Sequence, residues 1–301
     1  MMKMNKTLEN GKPGDIMNEI MREELKDYTK KKEYLICMDS DGCVMDTMEV
    51  KHMRCLAPCL VHIWELEEFR DEMLHLWRDI NMLSQYRGVN RFKALAIVLK
   101  NIHENYQRIE GLDEYVAWVE SAIELSPETL EPAYEASGNI CMKKALEWSS
   151  MVNQAMAMVS EHKKVPFDGV EEALEAVHED VDIVIVTAAN RTEVEKEWKN
   201  AHIDQYTDFL MSQETGIKSE CLKGLVDKGY APDHVMMIGD APADLEAAKE
   251  AGVMFYPVLA ARESESWKDF PDVVKCFTEG NFTEEVQEEW IHKFYKNLRM
   301  E

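Results

Sequence analysis

The chain has 301 residues, with 34 basic and 58 acidic side chains and a formal net charge of −24. That length suits about two domains with real cores, and 46% hydrophobic with 31% charged residues describes a globular chain rather than a disordered one. The acidic balance argues against nucleic acid and anionic membrane as partners, since both would repel it.

The first thirty residues are polar and charged, without the apolar stretch of an export signal. The apolar runs fall far short of the roughly 20 residues of a membrane helix. Seven scattered cysteines, an odd number, do not suggest a disulfide framework. These features set the expectation of a cytoplasmic protein.

In chain order, residues 1–13 read as loose, and Ile16, Met17, Ile20, Met21 and Leu25 fall at helical spacing over 16–30. The period then changes. Residues 34–38 form a short apolar run ending in Asp39-Ser40-Asp41-Gly42, the pattern of a buried strand entering a polar turn. From 47 to 164 the chain is rich in Met, Leu, Trp, Glu and Ala, with helical runs at 48–66, 69–82, 91–106, 112–124 and 138–161. Gly88, Gly111 and the Ser126-Pro127 step separate them.

Strand-like runs return at 183–186, closed by Thr187, and at 209–211, followed by Ser212. Two more lie at 235–238, closed by Gly239-Asp240, and at 253–256, closed by Pro257. Helical patterns lie between or beside them at 170–177, 194–201, 221–228 and 243–251. Continuous apolar strands alternating with amphipathic helices predict a parallel sheet covered on both faces, an α/β fold. After Pro257 an irregular stretch leads to a C-terminal helix over 283–298. No internal repeat is evident.

The polar residues recur at the C-terminal ends of the strands, where an open α/β sheet places its ligand. Asp39 and Asp41 follow the first strand, Thr187 the second, Lys218 the third, and Asp240 with Asp244 the fourth. Several carboxylates at one mouth repel one another unless a cation sits among them, and hard oxygen donors suit Mg²⁺. A hydroxyl and an ammonium beside that cation make a receptor for a phosphoryl group. One carboxylate in line with phosphorus supplies a nucleophile. A second, two residues on, supplies an acid and base.

These motifs resemble those of the haloacid dehalogenase superfamily of phosphohydrolases. The first is Asp39-Ser-Asp41-Gly42-Cys43-Val-Met-Asp46, the second Thr187, the third Lys218, and the fourth Gly239-Asp240-Ala-Pro-Ala-Asp244. The resemblance covers about 33–46 and 165–260. It implies a Rossmann-like three-layer core of strand order 3-2-1-4-5, formed by 14–46 and 165–301. A helical cap, 47–164, would be inserted after the first strand and close over it.

It further implies Asp39 as nucleophile, Asp41 as general acid/base, and Thr187 and Lys218 as phosphoryl-binding residues. Mg²⁺ would be held by Asp39, the Asp41 carbonyl and Asp240, with Asp244 in support. Three departures stand out: Cys43 replaces the usual Thr or aliphatic residue, Gly216-Ile-Lys218-Ser219 lacks the usual Lys-Pro pair, and the insertion is long. Lys223, one turn on from Lys218, competes for its role. Within the insertion, Tyr86-Arg-Gly-Val-Asn-Arg91 resembles the specificity loop of the β-phosphoglucomutase-like branch, with Arg91 reaching the substrate. The bland reading of that stretch is Asn90 as an N-cap and Arg91 as a solvated side chain.

Asp41 favours phosphate esters over carbon–halogen or carbon–phosphorus bonds. The expected activity is Mg²⁺-dependent hydrolysis of a small phosphorylated metabolite by a monomer or small homo-oligomer. A phosphomutase using the same residues and a non-catalytic binding protein are the alternatives.

Overall fold

The computed structural model describes residues 20–300. Most of the helix expected over 16–30 is described: residues 20–24 are helical and tighten into a 3₁₀ turn at Leu25–Asp27, while 16–19 lie outside the described residues. Tyr28 is extended and turns the chain toward the first strand.

Five strands form one parallel sheet: β1 Leu35–Met38, β2 Asp182–Val186, β3 Phe209–Met211, β4 Val235–Gly239 and β5 Met254–Pro257. The order is β3-β2-β1-β4-β5, as expected. β1 pairs with β2 and β4 along its whole length, Leu35 opposite Asp182 and Val235, Met38 opposite Ile185 and Ile238. β1, β2 and β4 are buried at every position, which is why their sequences run apolar without alternation. Helices Val170–Val177, Arg191–Asn200, Lys218–Val226 and Pro242–Ala251 alternate with the strands. The core cluster includes Ile36, Ile183, Ile238, Trp198 and Trp267.

The chain divides into two compact units. One holds the described residues up to Asp46 together with Val165–Phe294; the other holds Thr47–Lys164 and the residues from Tyr295 onward. The second unit's helices include Ala57–Ile63, Arg70–Asn81, Arg91–Asn105, Leu112–Ser121, Pro127–Ser137 and Ile140–Ala157. Asn90 and Asn139 cap two of them, each side-chain oxygen accepting a first-turn N–H. Its core is aromatic: Trp77, Trp148, Phe92 and Tyr115 are wholly or almost wholly buried. The Trp77 indole donates to Nδ1 of His52 at 3.0 Å, which makes His52 a packing residue.

The structure departs from the expected local pattern at four places. The chain was expected to remain in the core to 301, but the residues from Tyr295 group with the helical unit, where Arg299 pairs with Asp79 at 3.4 Å. The Ser126-Pro127 step does separate two helices, and it also opens one that the sequence pattern left unassigned, Pro127–Ser137, with Ser126 as its N-cap and Pro127 its first residue. The stretch after Pro257 holds the helix Glu263–Thr278. Both unexpected helices contain an interior proline, Pro132 and Pro271, which reads as a breaker in sequence. The helix expected over 48–66 is divided by a π turn at His52–Leu56.

Candidate active site

The sheet ladder carries the first polar residues into place. The Asp39 N–H donates to the Ile238 carbonyl at 3.0 Å, and the Thr187 N–H to the Met211 carbonyl at 3.0 Å. Each thus extends its strand by one bond and stands at the strand's C-terminal end. Beyond Asp39 the chain folds back sharply: Val44 and Met45 donate to the Ser40 carbonyl at 3.0 and 2.8 Å, and Gly42 donates to Met45 at 2.9 Å. Gly42 has φ 78°, where a side chain would be strained.

Three carboxylates converge there. Asp39, Asp240 and Asp244 each offer an oxygen, and these oxygens lie within 4.8 Å of one another. The Lys218 ammonium stands between two of them, 2.8 Å from Oδ2 of Asp39 and 2.5 Å from Oδ1 of Asp244. The Thr187 hydroxyl hydrogen-bonds the Asp39 carboxylate. All five side chains are buried or nearly so.

Burial pushes the Asp39 carboxyl above its ordinary value; Lys218 opposes the rise and Asp244 reinforces it. Burial works against the charge on Lys218 as well, yet Asp244 and Asp39 outweigh it and hold the ammonium above its ordinary range. The two effects describe one set, in which three clustered acids have a single ammonium that pairs with two of them. Oxygen-only donors with excess negative charge fit a hard divalent cation such as Mg²⁺.

Asp244 commits both oxygens to the protein. Oδ1 meets Lys218, and Oδ2 accepts the N–H groups of Asp240 and Ala241 at 3.1 and 3.0 Å. It therefore braces Asp240 and Lys218 and caps the helix Pro242–Ala251, where a negative charge also suits the helix dipole. Gly239 makes this possible: a Cβ there would stand 2.3 Å from Cβ of Asp244.

Asp41 is half-buried two residues after Asp39, its backbone bridged to Met45. Lys218, not Lys223, reaches the carboxylates; Lys223 is exposed and pairs with Glu220 at 2.8 Å. Arg91 lies in the helical unit, and its guanidinium donates to Asn153 at 2.6 Å. Asn90 caps that helix, accepting from Phe92 at 2.9 Å, as its bland reading had it.

Two tryptophans support the Asp39 turn and were not legible as site residues. The Trp198 indole donates to the Ser40 hydroxyl at 2.9 Å, and the Trp267 indole donates to the Cys43 carbonyl at 2.8 Å. Each comes from a distant segment, and nothing local in the sequence ties either one to the turn.

A parallel sheet of this order, with acids and a lysine at the C-terminal ends of its strands, is the arrangement in which an open α/β sheet receives a ligand. The sequence matches the family described as haloacid dehalogenase-like hydrolase over residues 89–258, more than half of the chain. The protein belongs to that family. The matched stretch includes Thr187, Lys218, Asp240 and Asp244, whereas the Asp39 turn lies before it and stands on its geometry.

Two solved structures share the fold at a TM-score of 0.50 or above. A provisionally named phosphatase from Clostridium difficile superposes with a TM-score of 0.51 at 16% identity, covering 81% of this chain and 100% of the other. A haloacid dehalogenase-like family hydrolase from Xanthomonas campestris gives 0.50 at 14% identity, covering 84% and 97%. A Thermotoga maritima protein described as a β-phosphoglucomutase gives 0.48 at 17% identity, covering 80% and 98%. No curated protein sequence matches the chain. Among the described residues no helix is long and apolar enough to cross a membrane.

Proposed function

We propose that the protein is a Mg²⁺-dependent phosphohydrolase that cleaves a small phosphate monoester through an aspartyl phosphate on Asp39. The observation that carries this reading is the Lys218 ammonium held between Asp39 and Asp244, with Asp240 in the same cluster. A lysine so placed binds a phosphoryl oxygen, and an acid so placed attacks phosphorus.

In the first step an Asp39 oxygen forms a bond to phosphorus as the ester P–O bond breaks. Asp41 gives its proton to the departing alcohol oxygen. In the second step Asp41 takes a proton from water, whose oxygen displaces Asp39 and releases inorganic phosphate. Lys218 and the Thr187 hydroxyl hold the phosphoryl oxygens throughout. Asp39, the Asp41 carbonyl and Asp240 would hold Mg²⁺, which when bound offsets charge on the phosphoryl group. Asp244 keeps Lys218 and Asp240 aimed.

With a net charge of −24 the surface repels polyanions, so a small phosphorylated metabolite in the cytoplasm is the substrate class. Specificity rests with the helical unit, Arg91 included, acting as a cap. The test is turnover of an aryl phosphate and a panel of phosphorylated metabolites with Mg²⁺. Wild type should release inorganic phosphate, and Asp39→Asn should lose at least roughly 10³-fold in kcat. Isomerisation of a sugar phosphate without phosphate release would replace the reading by a phosphomutase. Equal rates in wild type and Asp39→Asn, or no turnover of any phosphate, would overturn it.

A further inference from the structure

The N-terminal segment, which the chemistry above leaves unused, reaches the two loops that carry Thr187 and Lys218. Oε2 of Glu24 accepts from Nη2 of Arg191 and from the Thr215 hydroxyl, both at 2.7 Å. Arg191 lies four residues after Thr187, and Thr215 three before Lys218. The same guanidinium nitrogen donates to the Thr215 oxygen at 3.2 Å, and the Ser212 N–H donates to that oxygen at 3.0 Å. Glu24 thus closes a junction between the loop after β2 and the loop after β3.

A second, independent feature fixes Glu24 there. Met21 and Leu25, on either side of it in the helix, rest on Gly224 of Lys218–Val226, where an added Cβ would stand 2.8 Å from Leu25 Cδ1. Further along, the Tyr28 and Tyr230 hydroxyls meet at 2.7 Å, and the N–H groups of Lys31 and Lys32 donate to Asp182 at 2.9 and 3.0 Å. The described part of the segment is thus held at Met21 and Leu25 and again from Tyr28 to Lys32, and Glu24 is its one inward carboxylate among the described residues.

We propose that Glu24 is a positioning residue for the phosphoryl-binding side of the site, setting the spacing between Thr187 and Lys218 through Arg191 and Thr215. This rests on the phosphohydrolase reading for the roles of those two residues. Glu24 touches neither substrate nor the reacting atoms. It acts by holding two donors at the separation that one phosphoryl group requires, where small displacements carry large penalties.

The test compares wild type with Glu24→Ala, Glu24→Gln and Gly224→Val, using Lys26→Ala, whose exposed ammonium pairs with Glu23, as the control. In Glu24→Ala, KM for an aryl phosphate and the dissociation constant of inorganic phosphate, both with Mg²⁺, should rise together by about three- to tenfold with kcat within about twofold. Glu24→Gln, which keeps an acceptor oxygen, should recover most of the loss. Gly224→Val, which displaces the helix without touching Glu24, should reproduce it. Hydrogen exchange read by mass spectrometry should quicken in Glu24→Ala at residues 187–191 and 212–217. A folded Glu24→Ala with unchanged phosphate affinity and unchanged exchange at both loops overturns the proposal. A lower melting temperature with unchanged phosphate affinity reduces Glu24 to a structural tie and overturns it equally. Absence of turnover and phosphate binding in wild type would defeat the phosphohydrolase reading instead, and exchange at the two loops would still decide the role of Glu24.

Discussion

The two ends of the sheet bury acid in opposite ways. At the start of β2, Asp182 is wholly buried, and its Oδ2 accepts the Tyr230 hydroxyl at 2.5 Å and the two backbone N–H groups of Lys31 and Lys32. Burial, then the bond to Asp182, push the Tyr230 hydroxyl above its ordinary range, so it remains a protonated donor. At the other end three acids converge, and one ammonium meets two of them. That single buried carboxylate of Asp182 is met by neutral donors aimed at one oxygen, while its Oδ1 has no hydrogen-bond partner. Three within reach of one another exceed what neutral donors and one lysine balance, and the remaining charge calls for a cation. At one end the donors come from the chain itself; at the other, the proposed reading has a cation supply what the chain lacks.

Metal removal tests that contrast most strongly. Saturating Mg²⁺ should raise the melting temperature of wild type, since a ligand at 100 times its Kd adds about 2.7 kcal/mol. The shift should vanish in Asp240→Asn and persist in Asp182→Asn. A metal-induced shift that survives in Asp240→Asn would place the cation elsewhere.

Gly239→Ala attacks the packing under the acidic end. Its Cβ cannot coexist with Asp244, so denaturant unfolding should show a loss of about 1–3 kcal/mol, together with a weakened Mg²⁺ shift. Retention of both would mean that the close approach of Asp244 to Gly239 is dispensable.

Asp182→Asn addresses the other end. Altering that carboxylate disturbs buried donors and should cost about 1–3 kcal/mol of stability. Phosphate affinity should not change; if it falls, the two ends are coupled and the contrast between them fails.

The smallest effect concerns Glu214, whose carboxylate takes the Ser212 hydroxyl at 2.7 Å and the Asn190 amide at 2.6 Å. The Ser212 hydrogen bond, foremost, holds its carboxyl below the usual range. A lowered native pKa gives stability that is complete above the unfolded value and disappears as pH falls through the native one. Glu214→Gln should therefore be slightly less stable than wild type at neutral pH, and the difference should close below about pH 4. Because Glu214 is exposed, a gap that persisted into acid would assign the effect to geometry rather than charge.

The sheet was legible because its central strands are buried on both faces and run apolar through most of their length, Asp182 apart, and their order came with the family resemblance carried by the motifs at their ends. Asp39, Thr187, Lys218, Asp240 and Asp244 were legible because each directly follows a strand or opens a helix. What stayed hidden depends on partners far away in sequence. Trp198 and Trp267 look like any core indole until the Asp39 turn is folded beneath them. Gly239 reads as a turn glycine, whereas its need is the side chain five residues on. Glu24 looks like one more acid in a solvated helix, since Arg191 and Thr215 arrive beside it only through the tertiary fold. The helices with Pro132 and Pro271 were obscured because local propensity yields there to packing.

The indole bonds to Ser40 and Cys43 have an optical consequence. They join two fluorophores to the turn that begins with Asp39, Trp198 through the Ser40 side chain and Trp267 through the Cys43 carbonyl, so a change in that turn alters the polarity around Trp198 or Trp267. The emission difference between wild type and Trp267→Phe, followed as Mg²⁺ or phosphate is added, isolates one of the two signals. The protein thus carries an intrinsic reporter of the Asp39 turn, readable without a label.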